Sequence, residues 1–315
     1  MKRAPRTVPT LVTVALAGVL AALAWQHQRA SSARALQVVV RGGDGGGLPL
    51  AQPSEEHLDA NSLARIAQDP AADGLAALLV VRHGHLVYSR FAGGTGPDSL
   101  MDSGSFANAL VALATGIAVD RRLIRSAPIL FEPDQLRRLL EAASQHSYAQ
   151  FLGQSLWSRL NAAPAWIGLP ARGAPTPADC CFHARVLDWL RVGALLANDG
   201  NFEDTQVVSS GWVRRMRQPQ PNGNTGYGVA LPSRRPGAAR YEAADLFLLR
   251  GPARWRLWIV PSLRLVVLYG APAPSAAAAR DWDETRLANL VIEAVTDRPA
   301  VPPGTTLLQQ LVPGH

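Results

Sequence analysis

The sequence predicts an α/β domain in which an antiparallel sheet is assembled from both ends of the chain and flanked by helices. Three observations predict it. A β-rich hairpin pattern stands early, at residues 77–91, and further β-rich runs stand late, between Asp245 and Gly270. Between them apolar residues recur at helical spacing, most clearly over residues 104–120. An amphipathic run over residues 283–295 closes the pattern as a last helix.

Composition bounds the rest. A chain of 315 residues, 48 % hydrophobic and 17 % charged, has ample material for a core and is not a disordered chain. The formal charge is +7, but Lys2, Arg3 and Arg6 supply part of it, and the other arginines are scattered rather than gathered in a stripe. A nucleic-acid partner is therefore not expected. Cys180 and Cys181 are neighbours, which strains a disulfide between them, and they read as small buried hydrophobes. No cluster with metal-ligand spacing appears, and no metal or cofactor is expected.

The elements follow in order. MKRAPR precedes an uncharged apolar run, residues 8–25, so residues 1–29 read as a signal anchor or, with cleavage near Ala22-Leu23-Ala24, a signal peptide. Either form exports the domain to the periplasm, and the anchor form makes the inner membrane a partner through this N-terminal helix. Residues 30–56, with GGDGGGLP inside them, read as a linker; 57–300 form the domain, and 301–315 a tail. Arg82-His83-Gly84-His85 forms the hairpin turn. Helices are expected over 104–120, 135–141, 147–160 and 187–196, the last stopped by Asn198-Asp199-Gly200. Strands start near Asp245, Arg254 and Leu263. Trp157, Trp189 and Trp212 fall in helical patterns and read as core.

This order, together with several local matches, resembles the β-lactamase-related serine hydrolases, a family that includes penicillin-binding proteins, esterases and 6-aminohexanoate oligomer hydrolases. ALLVVRHGHLVYSRF is similar to the family's opening hairpin, and GSFANALVALATGIAVDRRLI to its nucleophile helix. CCFHARVLDWLRVGALLANDG is similar to the 6-aminohexanoate hydrolase branch, and NTGYGVALP and WIVPSLRLVVLYG to the strands that follow. The resemblance covers roughly residues 75–297. It implies a β-lactamase/transpeptidase-like fold, with a reduced helical subdomain because the stretch between Ile124 and Leu136 is short.

It also implies a site. The family starts a helix with a nucleophilic serine and carries a lysine three residues on, one turn up the same face. Here Ser105 takes the serine position and Asn108 the lysine position. An asparagine amide has no usable basicity, and the only lysine, Lys2, lies outside the domain. The family's second motif, a tyrosine followed two positions later by Asn or Ser, matches none of Tyr88, Tyr148, Tyr227, Tyr241 and Tyr269. Its third motif, Lys or His before a small residue and Gly, is represented by Arg250 and Gly251, with Pro252 removing a strand donor.

Two functions follow. Three altered motifs point to a catalytically impaired envelope protein that binds a cell-wall or envelope ligand, or scaffolds a partner. Alternatively, Ser105 serves an active amide or ester hydrolase with a non-lysine base, with His83, His85, His146 and His183 as candidates. Ser103-Gly104-Ser105 is not a G-x-S-x-G elbow. Ser105 also has an ordinary reading as a helix N-cap, a task open to Asp102 and Ser103 as well.

Overall fold

The computed structural model describes residues 37–168, 182–221, 223, 225–233, 237–273 and 282–298. The chain enters with β1 (Gln37–Val40) and α1 (Ala60–Ile66), then forms β2 (Ala77–Arg82), β3 (His85–Phe91) and β4 (Leu100–Asp102). A helical middle follows, with α2 (Phe106–Asp120), α3 (Pro133–Ser144) and α4 (Tyr148–Leu152). Next come β5 (Ala165–Gly168), β6 (Phe182–Arg185), α5 (Val186–Ala197), the small hairpin β7 (Asn201–Phe202) and β8 (Thr205–Gln206), and α6 (Ser210–Met216). The chain returns to the sheet through β9 (Phe247–Arg250), β10 (Arg256–Val260) and β11 (Leu265–Gly270), and α7 (Glu284–Glu293) closes it.

The expected sheet is present: β3, β2, β11, β10 and β9 lie side by side in that order, every pair antiparallel. Both chain ends build it, because Leu78 pairs with Tyr269 and Val80 with Val267. β2 is buried at every position, as a strand covered on both faces must be. Its period-2 geometry sends Ala77, Leu79 and Val81 into a core shared with α2 and α5, and Leu78 and Val80 into a second core under α1 and α7. The helix caps are local. Asp59 accepts the Ser62 N–H at 2.7 Å, and Asp283 accepts those of Thr285 and Arg286 at 2.9 and 3.0 Å.

Four expectations need correction. Residues 37–56 do not form a linker. β1 pairs with β5, Leu48 is buried, and Leu50 bridges to Leu86. The glycines that suggested flexibility permit close approach instead, since a Cβ on Gly42 would lie 2.2 Å from the Ala162 carbonyl oxygen. The helix expected over 147–160 keeps α geometry only to Leu152, then widens and tightens before Asn161 ends it at φ +51°. Of NTGYGVALP, the described residues 225–232 form no strand; Ala230 alone bridges the edge of β9 through Leu248.

The fourth correction concerns the inner-membrane anchor. Among the described residues no helix is long and apolar enough to cross a membrane. The 15-residue α2 spans about 22 Å at helical rise, short of a bilayer core, and its apolar surface is buried inside the domain. Residues 8–25, on which that expectation rested, lie outside the described residues, as do Cys180, Cys181 and the tail.

The sequence did not reveal a second sheet, ordered β1-β5-β6-β4. It matters for the site because β4 leads straight into α2. The Ser103 N–H donates to the Phe182 carbonyl at 2.9 Å, so the start of α2 is fixed to β6. Between α2 and α3, residues 121–132 form neither helix nor strand.

Candidate functional site

Ser105 stands at the start of α2 with helical φ and ψ, and its side chain makes no capping hydrogen bond. Backbone carbonyls of Ser103, Gly104 and Ser105 take the first amides of α2, from Phe106, Ala107 and Asn108; Asp102 Oδ1 accepts the Gly104 N–H ahead of the helix at 3.2 Å, and Ser103 is fully buried with an unpartnered Oγ. The hydroxyl of Ser105 is therefore not consumed by the helix. Gly104 is held at φ +46°, and a Cβ there would come within 2.9 Å of Pro252 Cδ. Only glycine lets the loop after β9 close over the helix start.

Asn108 lies one turn along α2, and its Oδ1 is buried without a hydrogen-bond partner. The backbone at Gly228 presses on the same turn; a Cβ there would lie 2.7 Å from the Asn108 carbonyl oxygen. These contacts leave a cavity of about 300 Å³ lined by Ser105, Asn108, Phe131, Gln220, Thr225 and Arg250, with backbone from Gly226 and Gly228. Gln220 is positioned by accepting the Phe131 N–H at 3.1 Å.

Arg250, at the end of β9, donates to Glu284 at 2.5 Å, and Arg256 donates to the other carboxylate oxygen at 2.5 Å. Burial works to raise the Glu284 pKa, but the hydrogen bonds and charges of Arg256 and Arg250 outweigh it and hold the carboxyl below its ordinary value. Arg250 thus faces the cavity as a cation already shared with α7.

Of the four residues singled out from the sequence, Ser105, Asn108 and Arg250 line one cavity. Gly251 lies behind its wall, donating its N–H to the Trp255 carbonyl at 2.9 Å and packing on Phe106 and Trp255. The candidate histidines lie elsewhere. His83 and His85 both contact Glu56, at 2.6 and 2.8 Å, His146 folds onto the Ser144 carbonyl, and His183 faces Asp102 across β6 and β4. Tyr227 sits between two lining glycines, yet its ring is buried against Phe131 and Trp212, and burial pushes its pKa up to about 12. It keeps its proton at neutral pH. Sequence reasoning missed Phe131, Gln220 and Thr225, which come from loops without periodicity or motif.

No protein-family profile matches the chain, and no curated protein matches it. Solved structures do. A protein described as a 6-aminohexanoate-dimer hydrolase from Bacillus anthracis superposes with a TM-score of 0.60 over 83% of this chain and 90% of that one, at 14% identity. A β-lactamase from Mycobacterium bovis gives 0.56 over 75% and 99%, at 15% identity. The chain has the β-lactamase and penicillin-binding-protein fold. A penicillin-binding protein homologue from Caulobacter crescentus, TM-score 0.56 at 12% identity, covers 79% of this chain and 100% of its own. Identities this low carry the fold alone, so the chemistry of this β-lactamase-like domain rests on its own residues.

Proposed function

We propose that this β-lactamase-like domain binds a small ligand in the Ser105–Asn108 cavity without hydrolysing it. One observation carries the reading: among the described residues lining the cavity, the only ionisable side chain is Arg250, which cannot accept a proton. Acyl transfer from a serine needs a base to take the hydroxyl proton, and loss of such a base costs about 10²- to 10⁴-fold in rate. Pro252, the residue nearest Gly104 over the helix start, has no N–H with which to stabilise an oxyanion.

The lining also describes the ligand. Ser105, Asn108, Gln220 and Thr225 offer hydroxyl and amide groups for hydrogen bonding, and Phe131 offers an apolar surface beside exposed Ile129 and Leu130. The basic start followed by an apolar run in the sequence supports export of the domain to the periplasm.

A second reading has its own support, because the Ser105 hydroxyl is not used as a cap and opens on the cavity. In that case a ligand-borne or unrecognised base activates Ser105 in an amide or ester hydrolase. Mass spectrometry after exposure to a fluorophosphonate separates the two. The binding reading expects no adduct on the folded protein; an adduct at Ser105 that Ser105→Ala abolishes establishes an activated nucleophile and overturns it.

A further inference from the structure

A second cavity, of about 270 Å³, lies at the end of the five-stranded sheet away from Ser105. Three turns form its rim: His83-Gly84 between β2 and β3, Glu203-Asp204 between β7 and β8, and Arg264 between β10 and β11. Ala194 and Ala197 of α5, with Phe202 and Val266, give it an apolar floor. The His83 N–H donates to the Arg264 carbonyl at 3.1 Å, which joins two of the turns, and Glu56 holds the imidazoles of His83 and His85 from behind.

The rim residues occupy an unusual backbone region. His83, Glu203, Asp204 and Arg264 have φ of +48°, +45°, +62° and +43°. A two-residue hairpin with both φ positive favours Asn-Gly, so Glu203-Asp204 gives up stability to keep two carboxylates there. Neither Arg264 nor Asp204 enters an ion pair with another described residue, although both border one small cavity. The C-terminus of α5 opens on the same space through Ala197 and Asn198, and its dipole adds to the negative side. The cavity is thus lined by two carboxylates, one of them, Glu203, also interacting with the buried Arg191, by the Arg264 guanidinium and by apolar side chains.

We infer that this cavity binds a small aliphatic zwitterion, a free amino acid or a dipeptide, with its ammonium at Glu203 and Asp204, its carboxylate at Arg264 and its side chain on the apolar floor. The inference is independent of what happens at Ser105.

Isothermal titration calorimetry on the whole protein tests it, using L-leucine, L-alanyl-L-leucine, isopentylamine and 4-methylvalerate as probes. Binding of one or both zwitterions is expected, with the amine and the acid weaker by at least about tenfold. Whichever zwitterion binds more tightly identifies the source. Asp204→Asn removes a charge while suiting the left-handed turn, so its Tm should hold or rise while affinity falls at least about tenfold. Arg264→Gln should lose binding likewise, and Asn108→Leu, in the other cavity, should retain it. The inference fails if neither zwitterion binds, if the amine or the acid alone matches them, or if Asp204→Asn binds like the wild type.

Discussion

Asn108 and Glu284 show the site at the scale of single residues. A buried amide oxygen without a partner carries its full desolvation cost, and Asn108, a residue of the cavity wall, has such an oxygen. Asn108→Leu should therefore stabilise the protein by about 1 kcal/mol in urea unfolding while weakening ligand binding at Ser105. A loss of stability instead would show that the oxygen is satisfied in solution. Glu284 gives a pH signature. Its folded-state pKa is depressed, so its contribution is present above the ordinary glutamate value of about 4.3 and is lost as pH falls through the lower folded value. The urea midpoint of the wild type should drop across that acid window, and Glu284→Gln should flatten the drop; parallel profiles would remove Glu284 from the account. Ser105 and Asn108 are placed on one helix by its periodicity, but only the family resemblance marks them as a site. Arg250 is legible only through the family resemblance, and the loop residues Phe131 and Gln220 leave no signal.

At the scale of elements, α5 does more than cover the sheet. Asp188, fully buried in its first turn, pairs with Arg185 at 3.0 Å and accepts the Ala163 N–H at 3.3 Å. Arg191, also buried, lies 3.5 Å from Asp188 and donates to the carbonyls of Leu160 and Gly46, and Arg185 reaches Gly45 at 2.7 Å. One carboxylate thus organises two guanidiniums that pin the glycine-rich segment after β1. Asp188→Ala leaves buried Arg191 with only the weaker influence of Glu203 as counter-charge and should cost about 3 kcal/mol, read by equilibrium denaturation. A cost under about 1 kcal/mol would mean that the carbonyl acceptors suffice alone. This network could not be read in advance, because Asp188 and Arg191 occur in an amphipathic helix where charges normally face water.

For the whole molecule, the hairpin, α2, the late strands and α7 are legible because each is a long periodic or continuous apolar run. The four-stranded sheet is not. Its strands are three or four residues long, and the pairs Val39–Trp166 and Leu100–Arg185 join distant stretches with no local turn to announce them. The glycine run was misread for a physical reason: composition reports backbone freedom, but not whether a neighbouring chain occupies the space. A chain that starts at residue 57 should consequently lose cooperative unfolding or aggregate, since it lacks β1 and the burial of Leu48. If it unfolds with the same midpoint and slope as the full domain, residues 37–56 are dispensable.

The pairing of Leu78 with Tyr269 also has a consequence in time. Synthesis delivers the chain from its N-terminus, so the apolar strand Ala77–Arg82 emerges with β3 beside it long before β11 arrives to occupy its other edge. Throughout that interval Leu78-Leu79-Val80-Val81 offers open backbone to any neighbouring chain. Yield in the cell should then depend on a holding chaperone more than on the stability of the finished fold.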